Sequence, residues 1–331
     1  MSSGSDRSAY GSDASDRSSK RSDSPDEPTG DTRQPVDTAS KHSFEGSIVT
    51  FQDGSRWKIT KPLSQRAYQQ NDAPFEARQV FTCVCIDDPN NAHSETDKRE
   101  AVMKIKYQVT GNYARYKDLV EEYEERAAEA QDTEKAAKNL ETVRSLLHTA
   151  THPVYFTNES AAMEISALKY FKRMNCPYTP HLLGYTLGLV TEDTDDQGLG
   201  MVGGLILYIL MTKVPGRQLR VRDFFRLPPS EREELRRALK EALIRLWRRI
   251  EPQDSALRNL LWDSEARKCY IVDFEDYRQV RCRNPESEWE DRHYRYWDVD
   301  ESCHTKYGIE DVNQGQNPET NVPDVKEVHL T

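Results

Sequence analysis

The chain has 331 residues, and at roughly 150 residues per domain that length holds two domains or one large bilobal one. Its 46 Lys and Arg against 56 Asp and Glu leave a net charge of −10, which excludes general phosphate-backbone binding as the default activity. A hydrophobic share of 36% is low for a fully globular chain, so part of the sequence is expected to stay outside the core.

Residues 1–40 are rich in Ser, Asp, Arg, Gly and Pro, with almost no large apolar side chain to offset the entropy of ordering, so a disordered N-terminal tail is expected. Runs at 47–51 with 57–59, at 79–86 and at 101–107 alternate apolar and polar residues between turn clusters and predict an antiparallel sheet. Residues 113–148 are dense in Glu, Lys, Ala and Arg without Gly or Pro. They predict one long helix or a broken pair, lying solvated on the domain in preference to binding a protein partner. A second helix is expected at 160–174, with Ile165, Leu168 and Phe171 on one side and Pro177 and Pro180 stopping it. Strands follow at 181–189 and 204–211, the second apolar enough to be central, separated by the acidic loop 192–198. Ser230-Glu231-Arg232-Glu233 reads as a capping box opening a helix that carries Leu235, Leu239, Leu243, Leu246 and Ile250 at intervals of three and four. Short strands at 259–262 and 269–274 come next, and the polar, acidic stretch 308–331 reads as a second tail. The layout is α+β and bilobal. It has an antiparallel-sheet N-lobe at 41–211 with a helical insertion at 113–148, then a hinge and a short, mostly helical C-lobe at 212–307.

The chemistry is concentrated late in the chain. Asp254 and Asn259 stand at D-x-x-x-x-N spacing, and fourteen residues after Asn259 the apolar pair Ile271-Val272 leads into Asp273-Phe274-Glu275. A carboxylate at Asp254 can accept or orient a hydroxyl proton, while the Asn259 amide oxygen and the Asp273 carboxylate are hard ligands suited to Mg²⁺. This arrangement resembles the protein kinase-like superfamily. Within that resemblance, Ala101-Val102-Met103-Lys104 is similar to the strand whose lysine holds the α- and β-phosphates of ATP, and Glu164 is the implied partner of that lysine. Leu210-Met211-Thr212-Lys213-Val214-Pro215-Gly216 resembles the interlobe hinge, with Met211 as gatekeeper and backbone groups of Thr212 and Val214 on adenine. The resemblance spans residues 57–280. Its wording around Asn259-Leu260-Leu261-Trp262-Asp263 and Asp273-Phe274-Glu275-Asp276 is similar to a group of fungal kinase-like proteins, distantly similar to aminoglycoside phosphotransferases. It implies ATP and Mg²⁺ as cofactors and transfer of the γ-phosphoryl group to a hydroxyl of a protein or small-molecule acceptor. The alternative is a pseudokinase, a binding or scaffolding module that keeps the fold, with the 113–148 segment as a surface for a protein partner.

Taken singly, each residue also has a plainer reading: Lys104 as a surface charge, Glu164 as a carboxylate favoured near a helix N-terminus, Asn259 as a turn residue. Asp273 is harder to set aside, because a carboxylate ending an apolar strand borders the core and needs a partner.

Several departures from the family pattern bear on activity. Pro252-Gln253 replaces the His-Arg that precedes the catalytic Asp of protein kinases, and no G-x-G-x-x-G lies between Trp57 and Cys83. The side chains of Leu63-Ser64-Gln65-Arg66-Ala67 occupy that turn and are expected to hinder close approach of backbone to phosphates. Glu275 stands where the family has the glycine of D-F-G and, with Asp276, adds negative charge beside the metal site. Lys104 and Glu164 are 60 residues apart, so 113–148 reads as an insertion; Glu122 and Glu124 compete for the role of Glu164, which is preferred because the residues after it, Leu168 and then 180–185, read as helix end, turn and strand in the family's order. Only 56 residues follow Glu275, with no A-P-E, which leaves room for a minimal second lobe. The cluster Trp289, His293, Tyr294, Tyr296 and Trp297 is expected to pack a short helix in preference to stacking on substrate. The six cysteines lack C-x-x-C spacing and no signal-peptide pattern precedes them, pointing to free thiols in a reducing compartment. The longest apolar run, 205–211, is too short to span a bilayer. The expectation is therefore a cytoplasmic or nuclear protein that engages neither membrane nor nucleic acid.

Overall fold

Period-two alternation of apolar residues sets up the first half of the chain in the computed structural model, which describes residues 44–93, 99–195 and 197–307. The expected tails at 1–40 and 308–331 lie outside the described residues. Strands β1 (Ile48–Thr50), β2 (Arg56–Pro62), β3 (Ala67–Gln69), β4 (Glu76–Asp87), β5 (Glu100–Gln108), β6 (Leu182–Leu189) and β7 (Leu205–Thr212) form one sheet. Its order is β1-β2-β4-β5-β7-β6, with β3 beside β4, and every pairing is antiparallel. On β5, Ala101, Met103, Ile105 and Tyr107 point into a rear core with Trp57, Ile59, Phe81 and Cys83. The alternate residues Lys104 and Lys106 therefore leave the strand on the opposite face, where both are buried.

The 113–148 segment is a broken pair: α1 (Tyr113–Glu129) and α2 (Thr133–Thr151) form a hairpin. Asn112 caps α1 by accepting from the Arg115 N–H, and Asp132 restarts the chain as α2 by accepting from the Lys135 N–H. The thin apolar stripe is enough to dock it, since Tyr116 and Ala150 join the rear core of the sheet. Gln108 completes the attachment. Its Nε2 donates to the carbonyls of Thr149 (3.0 Å) and His152 (2.8 Å), and its Oε1 accepts from the Val154 N–H (2.8 Å), satisfying groups that a helix C-terminus leaves orphaned.

Helix α3 (Glu159–Arg173) links the two cores. Ala161, Ile165 and Leu168 pack on Leu207, Ile209 and Met211 of the sheet, while Ala167 and Phe171 enter a second core built around Leu235, Leu239, Leu243, Trp262 and Phe274. That second core is held by β8 (Arg217–Gln218), α4 (Val221–Arg226), α5 (Pro229–Leu246), β9 (Ile250–Pro252), β10 (Leu260–Asp263), β11 (Lys268–Ile271), β12 (Tyr277–Gln279), α6 (Arg292–Tyr296) and α7 (Cys303–Lys306). The aromatic cluster lies here as packing: Trp289 stacks on Trp247, and Trp297 is buried. All six cysteines are free. Among the described residues no helix is long and apolar enough to cross a membrane.

Three expectations are corrected. The capping box at Ser230 does not form; α5 starts one residue earlier with Pro229 inside its first turn, where the fixed φ of proline favours initiation. Ile250 leaves the helix and pairs with Gln279 across β9 and β12. The strand expected at 269–274 stops at Ile271, so Asp273 lies in a loop, in the left-handed region at φ +66°.

The turn before β8 depends on Gly216. Its φ is +94°, and a Cβ there would sit 2.8 Å from the backbone carbonyl of Trp262 and 2.9 Å from the Asp263 nitrogen. Gly216→Ala is expected to lower stability by about 1–3 kcal/mol from the backbone conformation alone, read as an earlier urea midpoint at unchanged m-value.

Candidate functional site

Lys104 is the centre of the site. Its Nζ lies 3.1 Å from Oε1 and 2.9 Å from Oε2 of Glu164, 3.0 Å from Oδ1 of Asp273 and 2.5 Å from Oε1 of Glu275. Three elements supply these groups: the central strand β5, the middle of α3, and the loop between β11 and β12. Of the competing acids, Glu122 pairs with Arg126 and Glu124 with Arg144 on the hairpin, so Glu164 alone among the three reaches Lys104. Asp273 is the exposed member, its side chain 35% accessible. Its left-handed backbone, a conformation that costs of order 1–3 kcal/mol for a residue other than glycine, lets the chain turn out of β11 and return the carboxylate to the lysine.

The network extends to residues that sequence reasoning did not name. Lys106 lies 2.8 Å from Oε1 of Glu76 and 3.3 Å from Oε1 of Glu275, and its Nζ donates to Ser160 Oγ at 3.1 Å. Arg78 reaches Oε2 of Glu275 at 3.3 Å. Lys106 could have been found from spacing, because residues two apart on a strand share a face. Glu275 was noted only as extra negative charge; its grip on two lysines needs the loop geometry.

Asp254 and Asn259 form a separate pair. The Asn259 Nδ2 donates to both the backbone carbonyl and Oδ2 of Asp254 at 2.9 Å, and Arg258 pairs with Asp254 Oδ1. The Val272 N–H donates to the Asn259 carbonyl at 3.0 Å, which ties this pair to the backbone one residue before Asp273. Met211 is buried against Val102, Leu182 and Ile209. The Thr212 N–H already donates to the His181 carbonyl at 2.9 Å and is not available to a base, whereas among the described residues nothing accepts from the Val214 N–H. The turn expected to obstruct phosphate approach is partly cleared, since Arg66 faces the rear of the sheet, pairs with buried Asp195 at 2.9 Å and lies over the Phe44 and Tyr107 rings.

Oxygens of Glu164, Asp273 and Glu275 lie within 4.8 Å of one another, but the Lys104 ammonium sits among them and contacts all three. The Asp273 carboxylate, 35% accessible, and the Asn259 amide oxygen are hard donors of the kind that suit Mg²⁺. A cavity of about 80 Å³ beside Lys106, lined by Phe75, Tyr107, Phe156 and Leu207, is far below the roughly 300 Å³ of small-ligand pockets.

Burial opposes the charge of Lys104, but Glu164, Asp273 and Glu275 outweigh it and hold the ammonium above the ordinary lysine range. Burial pushes Glu164 up to about 7, against the pull of Lys104, with Asp273 and Glu275 adding repulsion. Burial also opposes ionisation of Glu275, yet Lys104 and Lys106 bring it down to about 2. Glu164 therefore contributes stability that is full below its ordinary 4.5 and fades as pH rises through about 7. Glu275 contributes above 4.5 and is lost as pH falls through about 2.

No family model and no curated protein matches the chain. Among solved structures it is similar to the PK-1 kinase of Cydia pomonella granulovirus, at 17% identity and TM-score 0.32, over 68% of this chain and 55% of that one. It is also similar to the Rv3197 protein of Mycobacterium tuberculosis, solved in complex with erythromycin, at 9% identity and TM-score 0.35, over 67% of this chain and 48% of that one. The chain thus spans about half the length of the solved structures it matches. At these TM-scores neither likeness bears on the chemistry of the site.

Replacing Lys104 by Met leaves three carboxylates facing one another. The variant is expected to lose about 3–5 kcal/mol at pH 8. The deficit should shrink at pH 5, because the unpaired carboxylates then bind protons more tightly folded than unfolded. Urea melts at the two pH values check this; an equal deficit at both would mean that carboxylate repulsion is not the cause.

Proposed function

We propose that the chain is a kinase-like phosphotransferase that uses ATP and Mg²⁺ to phosphorylate a hydroxyl acceptor. The observation that carries this reading is the meeting of Lys104, Glu164 and Asp273 within 3.1 Å contacts, although 60 and 169 residues separate them from the lysine. An ion pair with Glu164 holds the flexible lysine in one rotamer and so presents its ammonium to the α- and β-phosphates. Asp273 and Asn259 hold the metal, which when bound offsets charge on the phosphates. Asp254 orients the acceptor hydroxyl once its carboxylate is released by Arg258. Met211 backs the adenine, with the Thr212 carbonyl and the Val214 N–H as its hydrogen-bonding edge. The acceptor is a hydroxyl of a protein or a small molecule.

A second reading, a binding module without catalysis, draws on Glu275. Its carboxylate lies 2.5 Å from Lys104, on the ammonium that the first reading assigns to phosphate. In that reading the α1–α2 hairpin is the surface for a protein partner.

Thermal melts separate the two. Mg-ATP at millimolar concentration is expected to raise the melting temperature by roughly 5 °C, as a ligand near 100 times its Kd does for a protein of this size. Asp273→Asn should abolish the rise, and Asp254→Asn should keep it while abolishing phosphoryl transfer. A wild-type protein indifferent to nucleotide would instead support the module.

A further inference from the structure

The face of the sheet opposite the rear core carries three cations. Lys104 and Lys106 leave β5 on the same side, and Arg78 lies directly across from Lys106 in the β4–β5 ladder. All three converge on one carboxylate. Lys104 Nζ is 2.5 Å and Lys106 Nζ 3.3 Å from Oε1 of Glu275, and Arg78 Nη1 is 3.3 Å from its Oε2. We propose that Lys104, Lys106 and Arg78 form a phosphoryl-binding site, that Glu275 fills it as a resident anion, and that a polyphosphate ligand binds by displacing this carboxylate.

The acids around the cluster are not equivalent. Lys104 already has Glu164 from the middle of α3, and Lys106 already has Glu76 from β4, so each lysine keeps a fixed partner without Glu275. Glu275 comes from the loop of residues 272–276, whose backbone is anchored on either side of it: the Val272 N–H donates to Asn259, and the Asp276 carbonyl accepts from Gln253. With the backbone held, a swing of the Glu275 side chain alone would leave Lys104 on Glu164 and Lys106 on Glu76. The geometry also leaves capacity unused. Arg78, 45% accessible, offers Glu275 a single nitrogen, whereas its planar fork can grip a phosphate with two. Once Glu275 has left, Lys104, Lys106 and Arg78 can turn the contacts they gave it to the ligand's own negative charge. A ligand that must first displace it binds with an affinity reduced by the fraction of open protein.

This deepens the phosphotransferase reading and rests on it for the nucleotide; the anion site is tested apart, with tripolyphosphate, which has no adenine. Calorimetric titration of the full chain compares wild type, E275Q and E275Q/K106M. E275Q is expected to bind tripolyphosphate about tenfold tighter than wild type, and E275Q/K106M to lose the gain. Equal affinity of wild type and E275Q for tripolyphosphate overturns the inference, even where both bind Mg-ATP. Tighter tripolyphosphate binding by E275Q, with Mg-ATP bound by neither protein, keeps the anion site and removes the phosphotransferase reading. Thermal melts establish folding, with E275G as the second variant; failure of both to fold would make Glu275 a structural strut and overturn the inference as well.

Discussion

A buried ammonium is the constraint around which this molecule is organised. Lys104 leaves the central strand on the face opposite the rear core and is 5% exposed, where an unpaired charge is not tolerable. It must be met by carboxylates, and these come from a helix and from a loop of the second half of the chain. The same ion pairs that neutralise the lysine therefore join the sheet to the loop between β11 and β12. Site and architecture share one set of interactions.

Helix α3 makes that meeting possible. One stripe of it packs on the sheet and another enters the helical core, so Glu164, buried between them, is fixed relative to both. The α1–α2 hairpin is inserted between the lysine strand and this helix without disturbing either, because it folds away onto the rear face of the sheet. Gln108 holds the point where it returns, bonding the end of α2 and the start of the segment that leads to α3. An insertion of this length is tolerated when its ends are clamped and its body covers surface that would otherwise be open.

The electrostatic balance within the site is close. Burial raises Glu164 while the lysines depress Glu275, so two acids on one ammonium are held in opposite senses. The first acid sits on a helix packed into two cores, and the second on a loop. Asp254 is subject to similar competition, from Arg258 and Asn259. Lys104 and Asp254 are thus both held in internal ion pairs.

Local pattern in the amino-acid sequence was sufficient for the longer strands, for α3 and for the run of leucines in α5, but not for the short strands β3, β8, β9 and β12; Lys104, Glu164, Asp254, Asn259 and Asp273 were grouped as candidates through the kinase-like resemblance. Alternation and helical spacing report which face of an element is apolar, and that is a property of neighbours along the chain. The start of α5 was misplaced because a proline inside the first turn outweighed a capping-box pattern one residue later. The end of β11 was misplaced because the backbone turns left-handed at Asp273, which apolarity does not report. The rearward turn of Arg66 and the hold of Glu275 on two lysines were decided by tertiary structure alone. Each concerns a charge whose partner lies far away in sequence, and only the folded chain determines which opposite charge comes within reach.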